Sequence, residues 1–249
     1  MLSVIIITRN EQEHIGRCLA SVTWADEIIV LDSGSTDNTV AISKQYTSAV
    51  YQTDWPGFGP QKQRALQKAS HDWVLSLDAD EEISPALQQE MQQAMQLSGI
   101  QGFYIPRLSS YCGKQIKYGG WWPDPVLRLF RRETGQFSDD VVHERVIVNG
   151  IVKHLQQPIL HEAFTDPSEV LDKINHYSTL GAEKLYKQHQ HASLARAIGR
   201  GIWTFIRTYL LKAGFLDGAE GLMLAISNAE GSYYKYLKLR NIHKQSQHD

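Results

Sequence analysis

The chain has 249 residues, 42% hydrophobic and 21% charged, enough to bury a full core in one α/β domain or in one domain with a large appendage. Cys18 and Cys112 lie far apart without metal-ligand spacing, which argues against a disulfide framework and points to reduced thiols in a cytosolic protein. The net charge of −2 hides an asymmetry: residues 1 to 183 carry 15 Lys and Arg against 23 Asp and Glu, residues 184 to 249 carry 10 against 4, and the apolar content of that basic tail favours an anionic lipid surface over a nucleic acid polymer.

Leu2 to Ile7 is β-branched and almost unbroken, as expected of a parallel strand buried on both faces. Arg9 and Glu11 follow at once, so no cleavable leader pattern is present, and no apolar run reaches bilayer-spanning length. Asn10 and Glu13 read as a capping box, after which Ile15, Cys18, Leu19 and Val22 share one helical stripe. Glu27 to Leu31 is a second strand, delivering Asp32 into the loop Ser33-Gly34-Ser35-Thr36-Asp37. Ser35 or Thr36 is placed to cap a helix through Val40, Ile42 and Tyr46.

A third unit repeats the plan. A Gly/Pro loop at 55 to 60 leads into a helix from Gln61 to Ala69 carrying Lys62 and Arg64, and the apolar run Trp73 to Leu77 ends in Asp78-Ala79-Asp80. Three strand-then-helix units predict a parallel sheet with its ligand site beyond the strand carboxyl ends. Two carboxylates one residue apart at such an end can meet a hard divalent cation carrying substrate phosphates, although Glu81 and Glu82 also fit a solvated acidic turn. Neither a Gly-x-Gly-x-x-Gly turn after the first strand nor a Gly-x-x-x-x-Gly-Lys-Ser/Thr loop occurs, so phosphates bound here need neutralisation by metal and side chains.

Ser3 to Glu11, Ile29 to Asp37 and Leu77 to Glu81, in that order and spacing, resemble the three signature stretches of the family 2 inverting glycosyltransferases of the GT-A fold. The resemblance implies a Rossmann-like α/β mixed sheet with flanking helices. It implies a nucleotide-sugar donor held by Thr8, Arg9, Glu11 and Asp32, with Ser33, Gly34 and Lys62 as further donor-side candidates. It also implies Mg²⁺ or Mn²⁺ on the diphosphate, with Asp80 as direct ligand and Asp78 facing ribose or metal.

Downstream, Ser84-Pro85 opens an amphipathic helix with Leu87, Met91, Ala94 and Met95, and Gly102 to Arg107 and Val126 to Arg131 read as strands. Between them, Trp121 and Trp122 in a Gly/Pro loop, with Asp124, form either a sugar-binding wall or core packing. An inverting transfer needs a base for the acceptor hydroxyl. Glu144 is favoured, with His143 orienting it or touching phosphate and Asp140 as second choice; many family members carry a Glu-Asp pair where this chain has His143-Glu144. His161 is either structural or, as in several GT-A enzymes, directed at the metal or diphosphate, and Asp166-Pro167-Ser168-Glu169 is a second capping box.

From 167 onward the chain reads as helical. Leu171, Ile174, Tyr177 and Leu185 mark one helix, and Leu194 to Leu211 another, on which Arg196, Arg200 and Arg207 form a basic stripe beside Trp203, Phe205 and Tyr209. This is either an interfacial helix or one packed on the rest of the protein. Trp122 to Phe130, Val142-His143-Glu144 and Phe215 to Gly218 are similar to the lipopolysaccharide-core heptose β-1,4-glucosyltransferases. That similarity implies UDP-glucose as donor, a lipid A-core acceptor, and a peripheral position on the cytoplasmic face of the inner membrane. The expected organisation is a catalytic domain at 1–165 and a helical docking and acceptor extension at 166–249. Alternatives are another UDP-sugar or acceptor, a metal-dependent nucleotidyltransferase, or a non-catalytic nucleotide-sugar-binding scaffold.

Overall fold

The computed structural model describes residues 1–138 and 145–245 and divides into two compact units. The first comprises Met1–Arg107 with Asp124–His161, and the second Leu108–Pro123 with Glu162–Asp249. The second unit thus draws in a segment well upstream of residue 166.

The first unit alternates strand and helix: β1 (Leu2–Thr8), α1 (Ile15–Ala20), β2 (Glu27–Asp32), α2 (Thr39–Ser43), β3 (Val50–Gln52), α3 (Phe58–Lys68) and β4 (Trp73–Asp78). There follow β5 (Glu81–Ile83), α4 (Pro85–Ala94), β6 (Ile100–Tyr111), β7 (Lys114–Gln115), β8 (Asp124–Arg131), β9 (Gly135–Phe137), β10 (Val146–Val148), β11 (Ile151–His154) and β12 (Ile159–Phe164). The unit division falls within β6 and within β12. The main sheet runs β3-β2-β1-β4-β8-β6-β12-β5. Its first four strands are parallel, as the three strand-helix units require, and β8 enters antiparallel between β4 and β6, making the sheet mixed.

The apolar patterns land where their periodicity puts them. β1 is buried at all seven positions, and Ile15, Cys18, Leu19, Val22, Leu87 and Met91 pack with it in one core cluster. Ser84 caps α4 by accepting from Leu87 N at 3.2 Å. The other first-unit caps differ from expectation. Asn10 has φ of 56° and begins no helix; its Oδ1 accepts instead from Thr36 N at 2.8 Å, so it ties the first loop to the second. Neither Ser35 nor Thr36 caps α2, because Ser35 is held by Asp32 while Asp37 Oδ1 accepts from Thr39 N at 3.0 Å. In both places a side-chain bond within or between loops outcompetes the local cap that sequence spacing suggests. Cys18 and Cys112 are both free.

The second unit packs α5 (Pro167–Lys187) and α6 (Leu194–Ile206) against α7 (Gly218–Gln245), with a π-helical turn at Arg207–Leu211 and a 3-10 turn at Gly214–Asp217. Asp166 caps α5 as expected, accepting from Ser168 N and Glu169 N, and Glu169 reaches back to Thr165 N at 2.8 Å. Buried Asp217 accepts from the backbone N–H of Lys117 and Tyr118, at 3.2 and 2.8 Å, which binds residues 108–123 into this unit. The α-helix expected from Leu194 to Leu211 stops at Ile206. Of the aromatic residues expected beside the arginine stripe, Trp203 is exposed between Arg200 and Arg207, whereas Phe205 and Tyr209 stack on each other, half-buried; Arg196 and Arg200 lie over the Tyr236 ring at 5.3 and 5.4 Å. Leu194, Ile198 and Ile202, spaced four apart, form an exposed apolar row on α6, with exposed Trp203 beside Ile202.

Candidate active site

Parallel register brings three polar strand ends to one edge of the first unit. Thr8 is paired with Asp32, and the preceding residue, Ile7, with Asp78. The carboxyl ends of β1, β2 and β4 thus open on a common mouth, where ligands of open α/β sheets bind.

Asp32 is fully buried. Its Oδ2 accepts from Gly34 N and Ser35 N at 3.1 and 3.0 Å, and its Oδ1 takes the Ser35 hydroxyl, so the carboxylate holds its own loop in shape. Gly34 sits at φ 83° with open space around its absent Cβ, so only backbone strain opposes a side chain there. Gly34→Ala is expected to cost about 1 kcal/mol by thermal denaturation without a packing defect. Ser33 Oγ accepts from Gln61 Nε2 at 2.9 Å, fastening the same loop to α3. Thr8 Oγ1 is buried and has no hydrogen-bond partner among the described residues. Glu11 donates its backbone N–H to Thr39 Oγ1 at 2.8 Å, and Arg9 is exposed.

Asp78 sits in a chain of alternating charge. Lys62 Nζ lies 2.8 Å from Asp78 Oδ1, and Arg128 pairs with the other oxygen. Arg128 also reaches Glu81 Oε1 at 2.8 Å, Arg107 Nη1 lies 3.5 Å from the same oxygen, and Arg107 Nη2 lies 2.6 Å from Asp124. Glu81 is fully buried and its other oxygen accepts from Asp78 N at 2.9 Å. Burial pushes the Asp78 carboxyl up, but Arg128 and Lys62 outweigh it and hold the group far below the usual carboxylate range. Arg128 shows the same balance with the opposite sign: burial opposes its charge, and Asp78 and Glu81 more than restore it. Beside this run of charges lies a cleft of about 350 Å³ lined by Lys62, Arg107, Arg128 and Arg145, with Asp78 as its carboxylate among the described residues. Arg128 Nε is buried and without an acceptor among the described residues.

Asp80, two residues on, points elsewhere. Its Oδ2 lies 3.3 Å from His161 Nε2, because β12 pairs antiparallel with β5 and sets His161 opposite Glu81. Among the described residues no three His, Cys, Asp or Glu side chains cluster as a complete metal site. A carboxylate and an imidazole converging at one point still fit a Mg²⁺ or Mn²⁺ ion that takes its remaining ligands from substrate phosphates and water. Asp78 is held by two cations, whereas Asp80 and His161 face each other.

The remaining sequence-derived candidates separate. Asp124 is clamped by Arg107 in the first unit, whereas Trp121 and Trp122 belong to the second, where Trp121 stacks on Phe164 at 6.1 Å between ring centres. Asp140, His143 and Glu144 lie outside the described residues. Sequence reasoning passed over Glu81, Arg107 and Arg128. A signal existed for one of them: Arg128 interrupts the apolar run Val126-Leu127-Arg128-Leu129-Phe130, and a charge inside a central strand needs a buried partner.

The glycosyl transferase family 2 model matches residues 3–155. The chain is 31% identical over 259 residues to an uncharacterised glycosyltransferase of Rickettsia prowazekii, covering 99% of this chain and 89% of that protein. It is 30% identical over 258 residues to the lipopolysaccharide core biosynthesis glycosyltransferase LpsC of Rhizobium meliloti, covering 98% and 92% respectively. Among solved structures it is similar to S. aureus TarS residues 1–349 in complex with UDP-GlcNAc, at a TM-score of 0.49 and 15% identity, over 98% of this chain and 92% of that one. By the family model over more than half of its length and by relatives 30% or more identical over nearly all of it, this chain with its mixed α/β sheet belongs to glycosyltransferase family 2.

Proposed function

We propose that this protein is an inverting transferase that moves glucose from UDP-glucose to an inner-core heptose of lipopolysaccharide. The observation that carries the reading is the cation-lined cleft at Asp78, the carboxyl end of β4, which matches the charge of a nucleoside diphosphate. The donor side is Thr8, Arg9, Glu11 and the loop from Asp32 to Gly34, shaped by Asp32 and braced by Gln61. Asp78 fixes Lys62 and Arg128 at the wall of the cleft, where their positive charge would face the diphosphate. Asp80 and His161 would hold Mg²⁺ or Mn²⁺, which when bound stabilises the negative charge developing on the leaving UDP.

In the transfer, the acceptor oxygen attacks the anomeric carbon from the face opposite the diphosphate. The bond to the phosphate oxygen breaks, UDP departs with the electron pair, and the acceptor proton passes to Glu144. The acceptor assignment is supported by the similarity to LpsC, a protein named for lipopolysaccharide core biosynthesis. Among the described residues no helix is long and apolar enough to cross a membrane. We propose that the enzyme works peripherally on the cytoplasmic face of the inner membrane, with the exposed Leu194, Ile198 and Ile202 row against lipid, and that residues 166–249 serve docking and acceptor binding; the exposed apolar row supports this reading.

The test is UDP release from UDP-glucose with purified lipopolysaccharide core as acceptor. Glu144→Gln is expected to lower transfer by about 10²-fold or more while UDP-glucose affinity stays unchanged, because a base acts on the acceptor only in the transition state. If Asp140→Asn shows that pattern and Glu144→Gln does not, the base is Asp140. Release of pyrophosphate from nucleoside triphosphates in place of UDP would turn the reading toward nucleotidyl transfer.

A further inference from the structure

The helical unit contains a cavity of about 660 Å³, within the size range of sites that enclose small ligands. Lys173, Arg207, Lys212 and Lys235 line it, and no Asp or Glu does. Among the described residues none of these four forms an ion pair with a carboxylate within 4.0 Å. Neutral groups hold two of them: Lys173 Nζ donates to Ala163 O at 3.0 Å and lies 4.5 Å from the centre of the Phe164 ring, and Lys235 Nζ lies 5.4 Å from that of Tyr236. Gly120 has φ of 86°, and a Cβ there would fall 2.3 Å from Lys212 Nζ, so this glycine leaves the path of the lysine open. Four cations around one cavity without a counter-charge repel one another, and a multiply charged anion relieves that repulsion.

The rest of the lining is not that of a bare phosphate site. Trp121 offers a broad ring surface, stacked at 27° on Phe164 and edge-on to Tyr111 at 5.9 Å. Thr204, Ser227, Asn228 and Ser232 add neutral donors and acceptors. Aromatic faces with amide and hydroxyl groups suit the C–H faces and hydroxyls of a sugar ring. We infer that this cavity binds an anionic saccharide carrying two or more phosphate or carboxylate groups. That this saccharide is the acceptor's charged portion rests on the glycosyl-transfer reading above; the binding site itself does not.

Calorimetric titration of the full chain tests it, using glucose 1,6-bisphosphate, glucose, inorganic phosphate and phosphatidylglycerol vesicles, each with and without saturating UDP. The bisphosphate is expected to bind at least tenfold tighter than inorganic phosphate and to keep that affinity when UDP is present, and glucose is expected not to saturate. Arg207→Gln with Lys212→Gln should weaken bisphosphate binding at least tenfold and leave UDP binding unchanged. Equal binding by the double variant, displacement by UDP, or binding to vesicles alone would overturn the inference, the last by making the ligand a lipid headgroup. Because UDP release from UDP-glucose is measured separately, its failure would remove the transfer reading and leave the cavity result intact.

Discussion

Asp80→Asn is expected to abolish nearly all Mn²⁺ binding to the enzyme–UDP complex, read by electron paramagnetic resonance, and to lower sugar transfer by about 10²-fold or more. The fold should survive. Asp80 is half-buried at a turn, and its Oδ2 lies 3.3 Å from His161 Nε2. Asparagine keeps the shape and one acceptor oxygen but withdraws the charge that a cation needs beside a diphosphate. His161→Asn should weaken Mn²⁺ binding less, since imidazole contributes no charge, and excess chelator should reproduce the loss in the unaltered protein. Full turnover in chelator would refute metal dependence. Unchanged Mn²⁺ binding by Asp80→Asn would move the ion to other residues.

The second large effect concerns stability. Arg128→Ala should destabilise the first unit by about 3–5 kcal/mol, because it leaves the fully buried Glu81 and the partly buried Asp78 short of their shared cation. For a protein of this size that corresponds to a fall of roughly 6–20 °C in Tm. Lys62 and Arg107 remain, but Lys62 lies against Asp78, and Arg107 is 3.5 Å from Glu81 while two of its nitrogens are bound to Asp124. The uncompensated charge, more than the lost contact, carries the cost. Combining Arg128→Met with Glu81→Gln should therefore recover a large part of the loss, although donor binding would stay impaired. A fall of under about 1 kcal/mol in Arg128→Ala would mean that water reaches Glu81 and solvates it.

The parallel half of the fold was determined locally. An apolar run such as Leu2 to Ile7 has no alternative to burial on both faces, and three such runs separated by amphipathic helices leave a right-handed parallel sheet as the economical arrangement. With the strands parallel, the polar ends at Thr8, Asp32 and Asp78 must share one edge, so the mouth of the site was legible in the sequence alone. The helix starts at Ser84 and Asp166 were legible for the same reason, since the cap and the backbone it satisfies lie within four residues.

What only tertiary structure decided are the side-chain partnerships between distant segments. Asn10 and Ser35 left their expected caps for bonds across loops 25 or more residues apart in one case and to Asp32 in the other. Glu81, in sequence one more acid in Asp78-Ala79-Asp80-Glu81-Glu82, became the most buried of the set because β8 carries Arg128 over it, 47 residues away. Asp78 thereby meets Lys62 and Arg128, and Asp80 faces His161. Sequence periodicity reports which face of an element is apolar, and it carries no information about which element will cover that face or which charge will meet which. In this protein the antiparallel entry of β8 and the pairing of β12 with β5 settled both.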